Sequence, residues 1–335
     1  MTYFIAEIGQ NHNGFMETAL ELIETCSEKI THEGNELKGV DAVKFTVRDL
    51  EHECSPKQWN TPYKNKNSFG ATYGEHRTNL ELSYENIKIL REHAHDKGLD
   101  FILTICNPGI VEKFIPLADK VKIASRDLKN IPLLEKLCTY DKTFIFSMGM
   151  DYMIEAAESL QRFQDKTIWL MHCVSSYPTP YNEASLLNIR DWINQIRNVE
   201  KIGYSDHTTG ILAPSIAVAL GAQVIEKHVT LNRNATGSDH QSSLSPEGLK
   251  RCLRDIRNTE IMLKTPFMHR RVTTVKTRDK IGRSLAVNKD IEIGHIFTKE
   301  DFIMVSPGTG FQYNLSRQFI GKPSRDSMKK NQLLT

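Results

Sequence analysis

Eight short runs rich in β-branched and aromatic residues recur along this chain, each separated from the next by a helical pattern, and that alternation restricts the fold more than any other feature. The runs are Tyr3 to Gly9, Val40 to Thr46, Asp100 to Ile105, Lys120 to Ala124, Thr143 to Met148, Thr167 to Cys173, Lys201 to Ser205 and Gln223 to Val229. The clearest helical segments are Thr18 to Glu28, Tyr84 to His95, Ile131 to Leu137, Tyr152 to Phe163, Ala184 to Ile196 and Ile211 to Leu220, with Glu247 to Met262 after the last run. Strands that alternate with helices are joined by crossovers, so the pattern predicts a parallel sheet of the α/β class. Eight units predict a closed TIM (β/α)8 barrel, which takes about 250 residues. An open doubly wound sheet is the competing fold, but it gathers ligands at one switch point. Here nearly every run ends on a polar group: Glu7, Lys44, Thr104, Lys122 with Ser125, Ser147, Ser175 just past the sixth, Ser205 to His207, and Glu226 with His228. Barrel enzymes build their sites from that C-terminal rim.

The 335 residues exceed one barrel. Lys264 to Lys280 is basic and lacks an apolar period, so it reads as a linker, with 266–280 between a barrel of 1–265 and a second domain of 281–335. That second domain has its own apolar runs, Ser284 to Val287 and Phe302 to Val305, but is too short for a deep core. Leu50 to Ser83 is long for a strand-to-helix connection and carries Pro56, Pro62, Gly70 and Gly74. It is either a lid or a surface insertion.

A net charge of +2, from 43 basic and 41 acidic residues, supplies no bulk field for nucleic acid. Any anionic ligand must be met by a few local lysines. The six cysteines show no close pairing or zinc-ribbon spacing, which suits reduced thiols. With no targeting pattern at Met1 to Gly9 and no apolar run of the ~18 residues a membrane span needs, the expected location is cytoplasmic.

His207 and His228 lie at the ends of neighbouring strands in Tyr204-Ser205-Asp206-His207-Thr208 and Glu226-Lys227-His228. Two imidazoles there can share one divalent cation and leave coordination positions open for substrate and water. Hydrogen bonding without a metal is the alternative. Lys44 and Lys122 end apolar strands, where an unpaired ammonium is costly, so they need an anion. A phosphate or carboxylate of a small substrate would satisfy them beside the hydroxyls of Thr104, Ser125, Ser147 and Ser205; internal pairing with Glu7 or Glu226 would also do so. Glu7, on the first strand, must be paired, metal-linked or pKa-shifted. His12 reads as a turn residue, His172 as a satisfied core or rim group, and Cys173 lacks an assignable base.

Taken together, the chain resembles the sialic acid synthase family. The resemblance rests on Ala6-Glu7-Ile8-Gly9-Gln10-Asn11-His12-Asn13-Gly14, Val43-Lys44-Phe45, Lys122-Ile123-Ala124-Ser125, Tyr177-Pro178-Thr179-Pro180, the two histidine segments, and Gly237-Ser238-Asp239-His240. It covers almost the whole length and implies a C-terminal domain similar to type III antifreeze proteins (the SAF type). It further implies condensation of phosphoenolpyruvate with an N-acetylated amino sugar, N-acetylmannosamine foremost, to give a nine-carbon 2-keto-3-deoxy acid and phosphate by C–O cleavage. His207 and His228 would hold manganese, with magnesium or cobalt as alternatives. Glu7 and Asp206 would be the acids around that centre, with Glu226 close to it. Lys44, Thr104, Lys122, Ser125, Ser147 and Ser205 would contact phosphoenolpyruvate, and Tyr177, Asp127 and Asp239 would lie near the sugar. The resemblance also implies a domain-swapped homodimer in which Arg283 of one protomer reads the acceptor's N-acetyl group in its partner.

Some positions depart from the family pattern. Thr46 stands where glutamine is common, Ile105-Cys106-Asn107 replaces Pro-Phe-Asp, Ser175 occupies a place often held by asparagine, and Val305-Ser306-Pro307 lacks the usual basic residue. These bear on the acceptor, leaving legionaminate or a related product from a bacillosamine-derived sugar as an alternative. A metal-dependent barrel hydrolase or lyase, or a sugar-binding protein without catalysis, are the alternatives of other classes.

Overall fold

The computed structural model describes residues 1–150, 153–264 and 272–335. The chain divides into two compact units, Met1–Thr265 and Pro266–Thr335. The first is a closed barrel of eight parallel strands. They are β1 (Tyr3–Gly9), β2 (Ala42–Val47), β3 (Asp100–Ile105), β4 (Lys120–Ile123), β5 (Thr143–Met148), β6 (Thr167–His172), β7 (Lys201–Asp206) and β8 (Val224–His228). Each pairs with the next, and β8 closes on β1 with Glu7 opposite His228. Every predicted run forms one of these strands, with ends that differ by no more than two residues.

Strand side chains alternate between two faces, and here both faces are buried for different reasons. Outward residues such as Phe4, Ala6, Ile8, Val43, Phe45, Phe144 and Phe146 join the helices in the main core. Inward residues stack in layers. Ile5, Ala42, Ile102, Ile145, Met171 and Val224 plug the middle of the barrel with apolar volume. Each fully buried side chain of this size contributes about 1.5–3 kcal/mol. Two residues further along, at the C-terminal end, the inward positions turn polar on every strand but β6, which is followed by Cys173, and the site begins there.

The helix Tyr84–Asp96 shows how a covering element is specified. Ser83 and Asn86 cap its start reciprocally, and Ile87, Leu90 and Ala94 recur at helical spacing to meet the barrel. Losing such a cap costs about 1 kcal/mol. The long segment ahead of it folds into three short helices, Leu50–Glu53, Pro56–Trp59 and Tyr73–Thr78. Gly74 lies so close to the Trp59 ring that a Cβ there would stand 2.3 Å from its atoms, so the segment is packed, not loose.

In the second unit β9 (Ser284–Val287) pairs antiparallel with β10 (Phe302–Val305) over a small core of Leu285, Val287, Ile291, Phe297, Phe302 and Leu334. Of the segment read as a linker, Val272 onward forms the helix Val272–Ile281. Residues 265–271, with Arg270 and Arg271, and Tyr152 at the start of a predicted helix lie outside the described residues. Among the described residues no helix is long and apolar enough to cross a membrane, and all six cysteines are free thiols.

Candidate active site

The polar inward layer forms the floor of a cavity of about 420 Å³ at the C-terminal mouth of the barrel. Glu7, Lys44, Thr104, Lys122, Ser125, Ser147, Ser175, Tyr177, Ser205, His207, Glu226, His228 and Asp239 all line it. Residues from every strand end therefore converge, as the recurring polar termini predicted.

The two lysines are paired internally in the structure. Lys44 Nζ lies 2.9 Å from Glu7 Oε2 and 3.8 Å from Glu226 Oε1, and donates to Thr104 Oγ1 at 3.3 Å. Lys122 Nζ donates to Glu226 Oε2 at 2.7 Å, and Ser205 Oγ donates to Glu226 Oε1 at 2.9 Å. Two ammoniums and two carboxylates thus balance at the floor. Burial alone would raise the Glu226 carboxyl, but the neighbouring Lys122 and Lys44 ammoniums outweigh it and hold it well below the usual range. Burial raises the Glu7 carboxyl despite Lys44, so Glu7 is the more easily protonated of the two acids. Burial likewise depresses Lys122, while Glu226 and Glu7 together keep Lys44 charged.

Ser147 Oγ is buried and has no hydrogen-bond partner among the described residues, which leaves an unspent hydroxyl facing the cavity. Beside it the chain approaches very closely. A Cβ on Gly149 would stand 2.4 Å from Ser175 Oγ and 2.5 Å from Cys173 Sγ, so only glycine fits between the hydroxyls of the rim.

His207 and His228 face each other with ring centroids 5.8 Å apart, and Tyr177 packs on His207 at 4.1 Å. His207 Nδ1 meets the Val174 carbonyl at 2.7 Å. A carbonyl only accepts, so Nδ1 carries the proton and Nε2 keeps a lone pair. Burial, together with His228, pushes the His207 pKa down to about 3, so the ring stays neutral. His228 Nδ1 is buried without a hydrogen-bond partner, 3.9 Å from Asp239 Oδ2. A neutral imidazole with a free lone pair beside a second with an unspent nitrogen is a donor set that fits a divalent cation. Among the described residues no cluster of three His, Cys, Asp or Glu side chains forms a larger cage. The pair fits a cation that takes its remaining ligands from substrate and water.

Two residues expected in the site lie elsewhere. Asp206 sits one residue past Ser205, so period-two alternation turns it outward; it is sealed from solvent, with Oδ2 2.6 Å from Lys227 Nζ. Asp127 follows the strand in a turn, where it meets Arg126 at 3.3 Å and Asn130 at 3.3 Å, outside the cavity lining. Arg283 belongs to the second unit, exposed immediately ahead of β9. His12 is buried within its turn, where Nδ1 accepts from Gly14 N, and His172 binds the Ala184 carbonyl at 2.8 Å.

The arginines of the rim carried no signal in the motifs. Arg48, Arg77 and Arg126 line the same cavity, with Gln10, Ser238 and the two acceptor-side positions Thr46 and Cys106 named from the sequence. Arg48 continues the inward series Lys44, Thr46, Arg48, a signal that was available. Arg77 arrives from the short helix Tyr73–Thr78, where it donates to Gln10 and, at 3.2 Å, to Tyr73. Arg77 lies within Leu50 to Ser83, where the sequence left a lid and a surface insertion open and singled out no site residue.

The sequence matches the model of the NeuB family over residues 33–267. The chain belongs to the NeuB family. Among curated relatives, the N-acetylneuraminate-9-phosphate synthase of Mus musculus is 33% identical, over 91% of this chain and 83% of that protein. The N,N'-diacetyllegionaminic acid synthase of Legionella pneumophila is 31% identical, over 97% of this chain and 90% of that one. Among solved structures, the N-acetylneuraminic acid (sialic acid) synthetase of Leptospira borgpetersenii, determined with citrate, superimposes with a TM-score of 0.68. It is 26% identical, and the match covers 82% of this chain and 90% of that one. The relatives are thus named as synthases of sialic and related acids, and this NeuB chain shares their barrel.

Proposed function

We propose that this NeuB-family chain condenses phosphoenolpyruvate with the open-chain aldehyde of an N-acetylated amino sugar, N-acetylmannosamine in first place, releasing phosphate and a nine-carbon 2-keto-3-deoxy acid. The observation that carries the reading is one cavity that joins a floor of two lysines and several hydroxyls to a pair of opposed imidazoles. The names of the relatives support it. A divalent cation held by His207 and His228, manganese foremost, would polarise the aldehyde oxygen.

The chain's own groups do the rest. Phosphoenolpyruvate carries a phosphate and a carboxylate, and Lys44, Lys122, Thr104, Ser125, Ser147 and Ser205 would bind and orient them. Attack of its C3 on the aldehyde carbon forms the new C–C bond and leaves positive charge at C2. Glu226, held ionised between the lysines, stabilises that charge, and water adds at C2. Glu7, whose burial favours the protonated form, is placed to exchange a proton with the aldehyde oxygen or the water. Cleavage of the C2–O bond then expels phosphate. Tyr177 and Asp239 would hold the sugar. As the resemblance implies, Arg283 of a partner protomer would complete the acceptor site in a homodimer; Arg283→Ala should raise the sugar KM and leave the phosphoenolpyruvate KM nearly unchanged. Phosphoenolpyruvate is a cytosolic metabolite, which would place the reaction in the cytoplasm.

A second reading concerns the acceptor alone. Arg48, Arg77 and Arg126 ring the mouth, and among the described residues Arg77 donates its side-chain hydrogen bonds to the neutral groups of Gln10 and Tyr73, with the Glu81 and Asp239 carboxylates acting on it from farther off. Guanidinium groups in that position suit a phosphate on the acceptor. The test of both is phosphate release from phosphoenolpyruvate with manganese and a panel of N-acetylated hexosamines, their phosphorylated forms and a bacillosamine-derived sugar, with EDTA and His207→Ala as controls. Release that requires metal and one sugar establishes the synthase and names the acceptor. Release that needs no sugar, or survives both EDTA and His207→Ala, would sink the proposal.

A further inference from the structure

Asp206 and Lys227 occupy opposed register positions on the outer faces of β7 and β8, each one residue ahead of a cavity histidine. Both side chains are 0% exposed, with Lys227 Nζ 2.6 Å from Asp206 Oδ2. Asp206 Oδ1 accepts from Tyr204 OH at 3.1 Å and from Thr208 N at 2.8 Å. Lys227 Nζ also donates to the Thr208 carbonyl. The pair therefore ties β7 to β8 and grips the backbone of Thr208 at both its N–H and its C=O, with His207 held between the two anchored residues.

Taking two charges out of water is an inefficient way to gain stability, because apolar residues of similar volume usually serve as well. A short ion pair with both carboxylate oxygens and the ammonium engaged in directed bonds does something apolar packing does not, which is to fix a distance. Here the distance lies directly behind two imidazoles whose rings must converge. We propose that Asp206–Lys227 is a positioning device that sets the spacing and aim of His207 and His228 so that they share one divalent cation. This rests on the metal reading of those two histidines.

The test is manganese affinity of the full chain, read by the loss of free-ion electron paramagnetic resonance signal and by calorimetry, in the parent, in His207→Ala and in the double variant Asp206→Met with Lys227→Met. The double variant removes both charges and leaves neither unpaired. Outer partners of metal ligands typically carry 10–100-fold in affinity. The expected result is a double variant that folds with a melting temperature close to the parent's, binds manganese at least about tenfold more weakly, and needs correspondingly more manganese for half-maximal phosphate release. Affinity within twofold of the parent's, in a folded double variant, overturns the proposal. A double variant that fails to fold assigns the pair to the stability of the barrel and overturns it as well. If the parent itself binds no manganese in a His207-dependent way, the metal reading fails first and takes the inference with it.

Discussion

Two sets of buried ion pairs meet on β8, where Glu226 of one and Lys227 of the other are consecutive residues, and they differ in what borders them. The inner set, Lys44, Lys122, Glu7 and Glu226, faces a cavity and sits among hydroxyls, one of which, Ser147 Oγ, has no oxygen or nitrogen partner among the described residues. The outer pair, Asp206 and Lys227, is enclosed by the barrel wall and its helices, with directed bonds to Tyr204 and Thr208. Both sets pair lysine with a carboxylate. What differs is access: the inner groups can exchange partners with a ligand or water, and the outer ones cannot. At β7 and β8 the contrast assigns chemistry to the inner face and geometry to the outer one.

The largest effect that would break this contrast is on stability. Lys227→Met leaves a sealed carboxylate without its countercharge, and should cost about 3–5 kcal/mol in urea unfolding. A loss under about 1 kcal/mol would show that solvent reaches the outer pair after all. Lys122→Met should act in the opposite sense. Cavity water and Lys44 can take up Glu226, so stability should fall by less than about 2 kcal/mol, while kcat/KM for phosphoenolpyruvate should fall about 10²–10³-fold.

A smaller effect belongs to the rim. Glu81 is half-buried beside Arg48 and bonded by Gln10, and the loss of water around it pushes its pKa up to about 7. A carboxyl raised in the folded state favours folding while protonated, so its contribution is complete below the unfolded pKa and is lost as pH rises through 7. Relative to Glu81→Gln, the parent should lose roughly 2–3 kcal/mol of unfolding free energy between pH 4.5 and 8, measured by urea titration at each pH. Parallel curves would mean that Arg48 holds Glu81 ionised. The smallest effect is that of Ser147→Ala, which removes a hydroxyl whose neighbour is the weakly bonding Cys173 thiol and which has no oxygen or nitrogen partner among the described residues. It should lower kcat/KM for phosphoenolpyruvate about five- to tenfold, roughly 1 kcal/mol, with a change in stability below about 0.5 kcal/mol.

Much of this was readable beforehand, because the barrel is encoded locally. Apolar alternation set the strands, helical spacing set the layer around them, and a polar residue at the end of each strand marked the mouth. Asp206 shows where the reading outran its own rule. With Ser205 and His207 inward, period two requires Asp206 outward, and the same parity places Lys227 outward between Glu226 and His228. The motif does not act as a unit, because its faces alternate. Asp127 is a different case, since a turn just past a strand has no fixed parity.

By itself, the sequence determined the barrel, its inward polar layer and the two opposed histidines, because those follow from short-range periodicity repeated eight times. Only the tertiary structure decided who pairs with whom. The union of Lys122 with Glu226, 104 residues apart, the convergence of Arg48, Arg77 and Arg126 on one rim, and the enclosure of Asp206 depend on closure of β8 against β1 and on the packing of a long connection over the mouth. Ion pairing is a matter of distance and access to water, and neither is a property of neighbours along the chain.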